Sequence, residues 1–170
     1  ISDPNPKFSG GITNNFSYKN FDLSVFFQFV YGNDIYSFTH NSFSYLFAGG
    51  SDRNFQPWAL NAWTPENSDS NIPRIPHDPR VRGISTFHVM DGSFLRAKNI
   101  TLGYTLPVKQ WGWNIQKLRV EVSVDNLFTI TDYPYYNPDI SSYGQGLRGG
   151  WDEEVYPNSR TIMFGLNVEF

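Results

Sequence analysis

The sequence predicts an all-β fold in which about five antiparallel strands form the C-terminal part of a large transmembrane β-barrel with long extracellular loops. Three observations support this prediction. Polar and apolar residues alternate along several segments, aromatic residues make up 18% of the chain against 17% for charged residues, and short turns alternate with long loops. Strands that face lipid on one side and a polar interior on the other have this pattern.

Composition narrows the class of protein. No stretch reaches the roughly 18 consecutive apolar residues that a transmembrane helix requires, so a chain that crosses a bilayer would have to cross it as strands. The chain has no cysteine, which excludes disulfide scaffolds, thiolate metal sites and cysteine nucleophiles. Its formal net charge of −3 comes without a basic run, so nucleic acid is not an expected partner.

The clearest strands form a hairpin near the beginning of the chain. Residues Phe8–Tyr18 and Phe21–Tyr31 both alternate in polarity, and the intervening pair Lys19-Asn20 suits a tight turn. Three further strands are predicted at 93–106, 117–128 and 159–170. Each predicted strand is close to the length of about 9 to 11 residues that crosses a bilayer when tilted.

The third strand contains an interruption of its alternation. Leu95 and Ala97 are out of phase with the apolar residues that follow them. One extra residue in a strand reverses the direction of every later side chain. The sequence therefore predicts a β-bulge near Ala97 or Lys98.

The connections between the strands alternate in length. The turns at 19–20 and 107–116 are short, whereas the loops at 32–92 and 129–158 are long. Outer-membrane barrels have short periplasmic turns and long extracellular loops, so we expect the last strand to end in the periplasm at Phe170. Bacterial barrels close with even numbers of strands from about eight upward, so five strands are not expected to close by themselves.

The alternation also fits a soluble antiparallel β-sandwich, in which one face of each sheet packs on the other sheet. The apolar faces here carry many Phe and Tyr residues. Tyr18, Tyr31 and Tyr104 fall near strand ends, where a membrane barrel has its interfacial girdle of aromatic residues. This placement favours the barrel.

Several sequence motifs occur over nearly the whole chain. They are PNPKF (4–8), YGND (31–34), WTPEN (63–67), DGSFLRAKNITLGYTLP (91–107), DNLFTITDY (125–133), and YPNSRT (156–161) followed by FGLNVEF (164–170). In this order they resemble the SusC/RagA family of TonB-dependent outer-membrane transporters of Bacteroidota.

The resemblance implies a multi-pass barrel of about 22 strands in the cell outer membrane, with a plug domain in its lumen. The plug is absent from this chain, and the first residues do not form a signal peptide, so we expect the start of the exported protein to be missing. The implied activity is import of oligosaccharides or peptides, energised by the TonB complex through the plug. The implied partners are a SusD-like lipoprotein, the barrel-assembly machinery and outer-membrane lipid, with no cofactor.

Two other functions stay open from the sequence. One is a different outer-membrane barrel, either a passive porin or a barrel enzyme. The other is a soluble carbohydrate-binding sandwich, which the aromatic residues of the loops favour. His40, His77 and His88 lack the spacing of metal ligands, and no Ser, His and Asp set has the local context of a nucleophile. An enzyme is therefore not expected.

Aromatic residues supply the first group of candidate functional residues. Phe170 resembles the terminal aromatic signal that barrel-assembly machinery reads, and the alternative is a side chain that only anchors in lipid. Four loop residues are predicted to contact the lid lipoprotein or the substrate: Trp58, Trp63, Tyr136 and Trp151. The alternative for these four is that they pack their own loops, because long ordered loops need a core of their own.

Polar residues on the predicted inner face form the second group. Arg119, Glu121 and Asp125 alternate with apolar residues along one strand. Contact with the plug or the substrate is one interpretation, and pairing or hydration within the lumen is the other. The acidic run at 152–154 is interpreted as a solvated loop rather than a calcium site, so no metal site is predicted.

Overall fold

The fold is described from a computed structural model. It describes residues 2–44, 57–72, 74, 84–112, 114–140, 149–153 and 155–170. These residues divide into two compact units. The first, called the sheet unit, comprises Asn5–Asn33, Asp91–Asp139 and Tyr156–Phe170, and the second, called the loop unit, comprises Ile1–Pro4, Asp34–Met90 and Ile140–Val155.

The described secondary structure is mostly β. In chain order the elements are β1 (Phe8–Tyr18), β2 (Phe21–Tyr31), β3 (Asp34–Ser37), α1 (Phe38–Ser44), β4 (Val89–Asp91), β5 (Phe94–Leu106), β6 (Lys117–Thr131), β7 (Trp151–Asp152) and β8 (Thr161–Glu169). Five of them form one sheet in the order β1-β2-β5-β6-β8. Each neighbouring pair in this sheet is antiparallel, as the sequence predicted.

Cross-strand neighbours in the sheet match in polarity. One row across the five strands is entirely apolar and consists of Phe16, Leu23, Leu102, Val122 and Phe164. The adjacent row is mainly polar and consists of Asn15, Ser24, Thr101, Ser123 and Met163. Because side chains alternate across a strand, these rows lie on opposite faces of the sheet. The sheet unit therefore has an apolar face and a polar face.

The predicted bulge in β5 is confirmed at Lys98. Ala97 and Asn99 pair with the consecutive residues Phe27 and Phe26, which leaves Lys98 as the extra residue. The bulge brings Leu95 and Ala97 onto the apolar face with Phe27, and so explains why they are out of phase in the sequence. The Lys98 ammonium donates a hydrogen bond of 2.9 Å to Gln28 Oε1.

Strand ends differ slightly from the sequence-based prediction. The hairpin turn is the predicted pair, with Tyr18 opposite Phe21 and Lys19 in the left-handed region at a φ of 54°. β6 continues to Thr131 because its last residues pair with β5 before the bulge, where Thr131 lies opposite Phe94. β8 ends at Glu169, one residue before Phe170.

The loop unit contains a small three-stranded sheet in the order β4-β3-β7. β3 and β7 are parallel, with Tyr36 opposite Trp151. Ile35 and Ser37 are fully buried. A 3₁₀ helix at Pro57–Asn61 contributes buried Ala59. The described part of the long loop therefore has a core of its own. No helix among the described residues is long and apolar enough to cross a membrane.

The two faces of the sheet predict opposite responses to a charge. Leu102 on the apolar face is 43% exposed, and Thr101 is its neighbour on the polar face. In the full-length barrel, Leu102→Arg should lower the free energy of unfolding by about 2–4 kcal/mol because the charge enters lipid. Thr101→Arg should change it much less, since that face is polar. Folding titrations into lipid vesicles would measure both values, and equal losses would contradict this assignment of the faces.

Candidate functional site

A charged cluster spans three strands on the polar face of the sheet. Arg119 on β6 donates hydrogen bonds of 3.2 Å to Oδ1 and 2.5 Å to Oδ2 of Asp22 on β2. It also pairs with Glu121 on its own strand. The side chains of Arg119, Asp22 and Glu121 are 23%, 41% and 38% exposed. A single guanidinium thus bridges two carboxylates in a fork geometry.

Glycine makes room for this cluster. Gly103 on β5 lies between Asp22 and Glu121 in one cross-strand row. A Cβ atom at Gly103 would overlap the guanidinium of Arg119 and would lie 2.6 Å from Asp22 Oδ2. Gly165 lies on the other side of Glu121, where a Cβ atom would be 2.7 Å from the Glu121 Cγ. The long side chains lie over these two bare positions of the sheet.

Asp125 belongs to a separate hydrogen-bonded group. It accepts a bond of 2.7 Å from Asn99 Nδ2, and Thr101 donates one of 3.3 Å to Asn99 Oδ1. The structure therefore brings Arg119 and Glu121 together with Asp22, which the sequence did not single out. It does not bring Asp125 into the same cluster.

Arg96 is a buried charged residue of the sheet unit that the sequence analysis did not single out. It is 3% exposed. Its guanidinium donates through Nε to Thr129 Oγ1 at 3.0 Å, through Nη1 to Asp139 Oδ2 at 3.2 Å and through Nη2 to Asn137 Oδ1 at 2.7 Å. Its Cζ atom lies 5.0 Å from the centre of the Phe94 ring.

The sequence carried one weak signal for Arg96. Once the bulge is placed at Lys98, Arg96 falls on the polar face beside Gln28 and Thr129, with which it pairs in the sheet. Its two loop partners are 41 and 43 residues further along the chain. No local pattern links positions that far apart.

Two of the four predicted loop aromatics pack inside the loop unit. Trp58 stacks on His40 with a centroid distance of 4.7 Å and an interplanar angle of 18°. Trp151 lies 4.6 Å from Tyr36. Both indole Nε1 atoms are buried and have no hydrogen-bond acceptor among the described residues.

The other two predicted aromatics are exposed. Trp63 in the loop unit is 38% exposed, and Tyr136 in the sheet unit is 75% exposed. They lie in different units. In the acidic run, Asp152 is buried and accepts a bond of 3.3 Å from the backbone N–H of Val155. Glu154 and His77 lie outside the described residues.

Phe170 follows the last strand and is 81% exposed. Its backbone carbonyl accepts a hydrogen bond of 3.0 Å from Gln116 Nε2. The backbone N–H of Gln116 donates to the carbonyl of Glu169 at 2.7 Å. The turn before β6 therefore holds the backbone at the end of β8, while the Phe170 ring stays free to contact its surroundings.

The curated relatives of this chain are named TonB-dependent receptors. The chain is 38% identical to TonB-dependent receptor P3 of Formosa agariphila over its whole length and 29% identical over 94% of its length to TonB-dependent receptor SusC of Bacteroides thetaiotaomicron. It spans only 17% and 15% of those two proteins. No family model matches the sequence.

Solved structures give the same grouping. The chain superposes on the RagAB peptide importer in its closed-closed state with a TM-score of 0.81 and 28% identity, covering 99% of this chain and 18% of that one. The open-open state of the same importer gives a TM-score of 0.78 and 29% identity over 97% of this chain and 17% of that one. The sequence relatives and the similar solved structures thus both match nearly the whole chain.

Gly103→Ala tests the glycine requirement of the charged cluster. The new methyl group should displace Arg119 from Asp22 and destabilise the fold by about 1–3 kcal/mol through overpacking. In an Arg119→Met background the same change should cost much less, because the obstructed guanidinium is gone. A double-mutant cycle of urea unfolding in detergent would measure the coupling. Additive losses would show that Gly103 serves another purpose.

The histidine pair of the loop unit predicts a pH dependence. Burial, together with the neighbouring His88, lowers the pKa of His40 to about 4, and burial also lowers the pKa of His88. Since the unfolded segment binds protons near pH 6.5 and the folded one does not, local stability should fall as the pH drops from 6.5 to about 4.

Hydrogen exchange of the loop-unit amides, referenced to the sheet unit, would measure this effect. Protection should be lost on acidification in the natural protein. It should vary less with pH in His40→Phe, which keeps an aromatic ring against Trp58 without a titrating group. Identical pH profiles for the two proteins would contradict the role of His40.

Proposed function

This chain belongs to the SusC/RagA family of TonB-dependent receptors, and we propose that it forms the C-terminal strands of an outer-membrane importer. The observation that carries the proposal is the two-faced five-stranded sheet. Its apolar face leaves large side chains exposed, including Phe16 at 59%, Phe164 at 85% and Leu166 at 68%. Such a continuous exposed apolar surface suits lipid, and the opposite polar face suits a lumen.

The two edge strands of the sheet need further strands to pair with if the sheet spans a membrane. β1 and β8 are the outer strands of the described sheet. In lipid an unpaired strand edge leaves backbone N–H and C=O groups without partners, at a cost of several kcal/mol each, so a spanning sheet must close into a barrel. A soluble sandwich would instead need a second sheet over the apolar face, on which Phe16, Phe164 and Leu166 are largely exposed. The proposed barrel has about 22 strands around a plug.

The proposed activity is nutrient import energised by TonB through that plug. The substrate class is oligosaccharides or peptides, and the proposed partner is a SusD-like surface lipoprotein. Support comes from the similarity to SusC and to a protein described as the RagAB peptide importer. The loops at 32–92 and 129–158 would lie on the extracellular side, where they would meet the lipoprotein and the incoming substrate.

The inner-face charges fit the wall of such a passage. Asp22 and Glu121 already share the guanidinium of Arg119, and Asp125 is bonded to Asn99. Polar groups that already form ion pairs or hydrogen bonds with one another keep the wall polar. They have little bonding capacity left to bind a passing ligand strongly. We therefore propose a structural role for Arg119, Glu121 and Asp125, with their remaining surface facing the plug.

The loop aromatics divide between two proposed roles. Trp58 and Trp151 pack against other rings of the loop unit, so we propose that they maintain its shape. Trp63 and Tyr136 are exposed and remain the candidates for contact with the lipoprotein or the substrate. Aromatic side chains suit either partner, since they offer a large apolar surface at little cost in conformational entropy.

Gene replacement would test the proposed import. A strain without the full-length receptor should lose growth on one of a set of oligosaccharides or peptide mixtures, and a strain without TonB should lose growth on the same one. Purification of the tagged full-length receptor should recover a surface lipoprotein. Unchanged growth on every mixture in both strains would contradict the proposed activity.

Phe170 is proposed to act as the terminal assembly signal. Phe170→Asp in the full-length receptor should reduce the folded, heat-modifiable protein in the outer membrane, because the exposed aromatic ring at the end of β8 is lost. Phe170→Tyr is the matched control and should assemble normally. Gel mobility of unheated membrane samples measures the folded fraction, and normal amounts of folded Phe170→Asp protein would contradict the role.

A further inference from the structure

The segment after β6 folds back over the polar face of the sheet. Arg96 is on that face, because its cross-strand neighbours are Gln28 and Thr129. Arg96 also bonds to Asn137 and Asp139. The side chains of Asn137 and Asp139 that bond to Arg96 therefore lie on the polar side of the sheet, near the beginning of β5. The segment 134–139, called the Arg96 turn, is therefore on the side proposed to face the passage.

The contacts that hold the Arg96 turn form a closed network. Asn137 Oδ1 accepts both the Arg96 bond and a bond of 3.1 Å from the backbone N–H of Asp139, and Asn137 Nδ2 donates to the Asp139 carbonyl at 3.2 Å. Arg96 is almost completely buried. Loss of any partner would leave part of a buried charge without a hydrogen bond, which opposes opening of the turn.

The aromatic residues between the end of β6 and Asn137 differ in burial. Tyr133 is buried at 4% exposure, and its ring meets that of Tyr135 edge to face at 5.7 Å. Tyr136 is 75% exposed, although it is the direct neighbour of the buried Asn137. The bonds of Asn137 thus hold the backbone next to Tyr136, while the Tyr136 ring stays exposed.

We propose that Arg96 is a positioning residue that fixes the Arg96 turn inside the passage, so that Tyr136 is a preset contact for imported substrate rather than for the surface lipoprotein. This inference rests on the proposed function, because a passage exists only in the barrel. It refines that function by separating Tyr136 from the lid interface. The turn acts as a permanent narrowing of the passage and not as a moving lid.

Cysteine labelling on intact cells tests the placement. This chain has no cysteine, and any cysteine elsewhere in the full-length receptor is first replaced by serine, so that Tyr136→Cys supplies a single thiol. A small maleimide should label position 136, whereas a maleimide carried on a long polyethylene glycol chain should react slowly because the turn lies inside the passage. Rapid reaction with the large reagent in the otherwise unchanged receptor would overturn the proposal.

Variants of the network test the role of Arg96. Asn137→Ala and Arg96→Met should each raise the rate of labelling by the large reagent about tenfold, since loss of one charge-assisted hydrogen bond shifts an opening equilibrium by about that factor. Asn137→Ala leaves β5 intact and serves if Arg96→Met assembles poorly. Arg119→Met is the matched control, an arginine of the same face that holds no turn, and should leave the rate unchanged. Equal rates in the receptor and both network variants would overturn the proposal.

Two further measurements separate this inference from the proposed function. Leu60 in the loop unit is 89% exposed, and Leu60→Cys should react quickly with the large reagent if the long loops are extracellular. Slow labelling at Leu60 with both reagents would count against the barrel orientation instead. Tyr136→Ala should leave recovery of the lipoprotein with the tagged receptor unchanged, and loss of the lipoprotein would overturn the assignment of Tyr136 to substrate.

Discussion

The register of the backbone ladder between β2, β5 and β6 is the constraint on which the rest of the sheet unit depends. Because side chains alternate along a strand, a shift by one residue would exchange the apolar and polar faces. Phe27 and Phe26 stay on their correct faces only because Lys98 is added between Ala97 and Asn99. The bulge is therefore required by the sheet, since without it the apolar residues in one half of β5 would lie on the polar face.

Once the register is set, the polar face is organised by side chains that satisfy one another across strands. Arg119 reaches Asp22 over Gly103, which requires a strand position without a Cβ atom. At the other end of β5, Arg96 is buried and binds Asn137 of the following loop in addition to Thr129 on β6. The two arginines have the same chemistry and different uses, because one joins strands of the wall and the other fixes a segment above it.

The loop unit is stabilised by a different set of interactions. Its described core combines a sheet of three short strands with contacting aromatic rings, among them Trp58 on His40 and Trp151 against Tyr36. The parallel pairing between β3 and β7 involves only two residues of each strand, so contacts between aromatic rings add to the small sheet in stabilising this unit. Aromatic residues that build the core of the loop unit thus differ from those, such as Trp63, that remain partly exposed.

Local patterns predict the five long strands, their two faces, the hairpin turn and the bulge, because each follows from a period-2 alternation or a turn pair within a few residues. The same alternation indicated Arg119 and Glu121 as inner-face residues. The short strands β3, β4 and β7 and the pairing of Arg119 with Asp22, which is 97 residues away, became known from the folded chain alone. So did the bonds of Arg96 to Asn137 and Asp139 and the packing of Trp58 and Trp151. These contacts depend on strand register and on the path of the loops, and neither leaves a local pattern in the sequence.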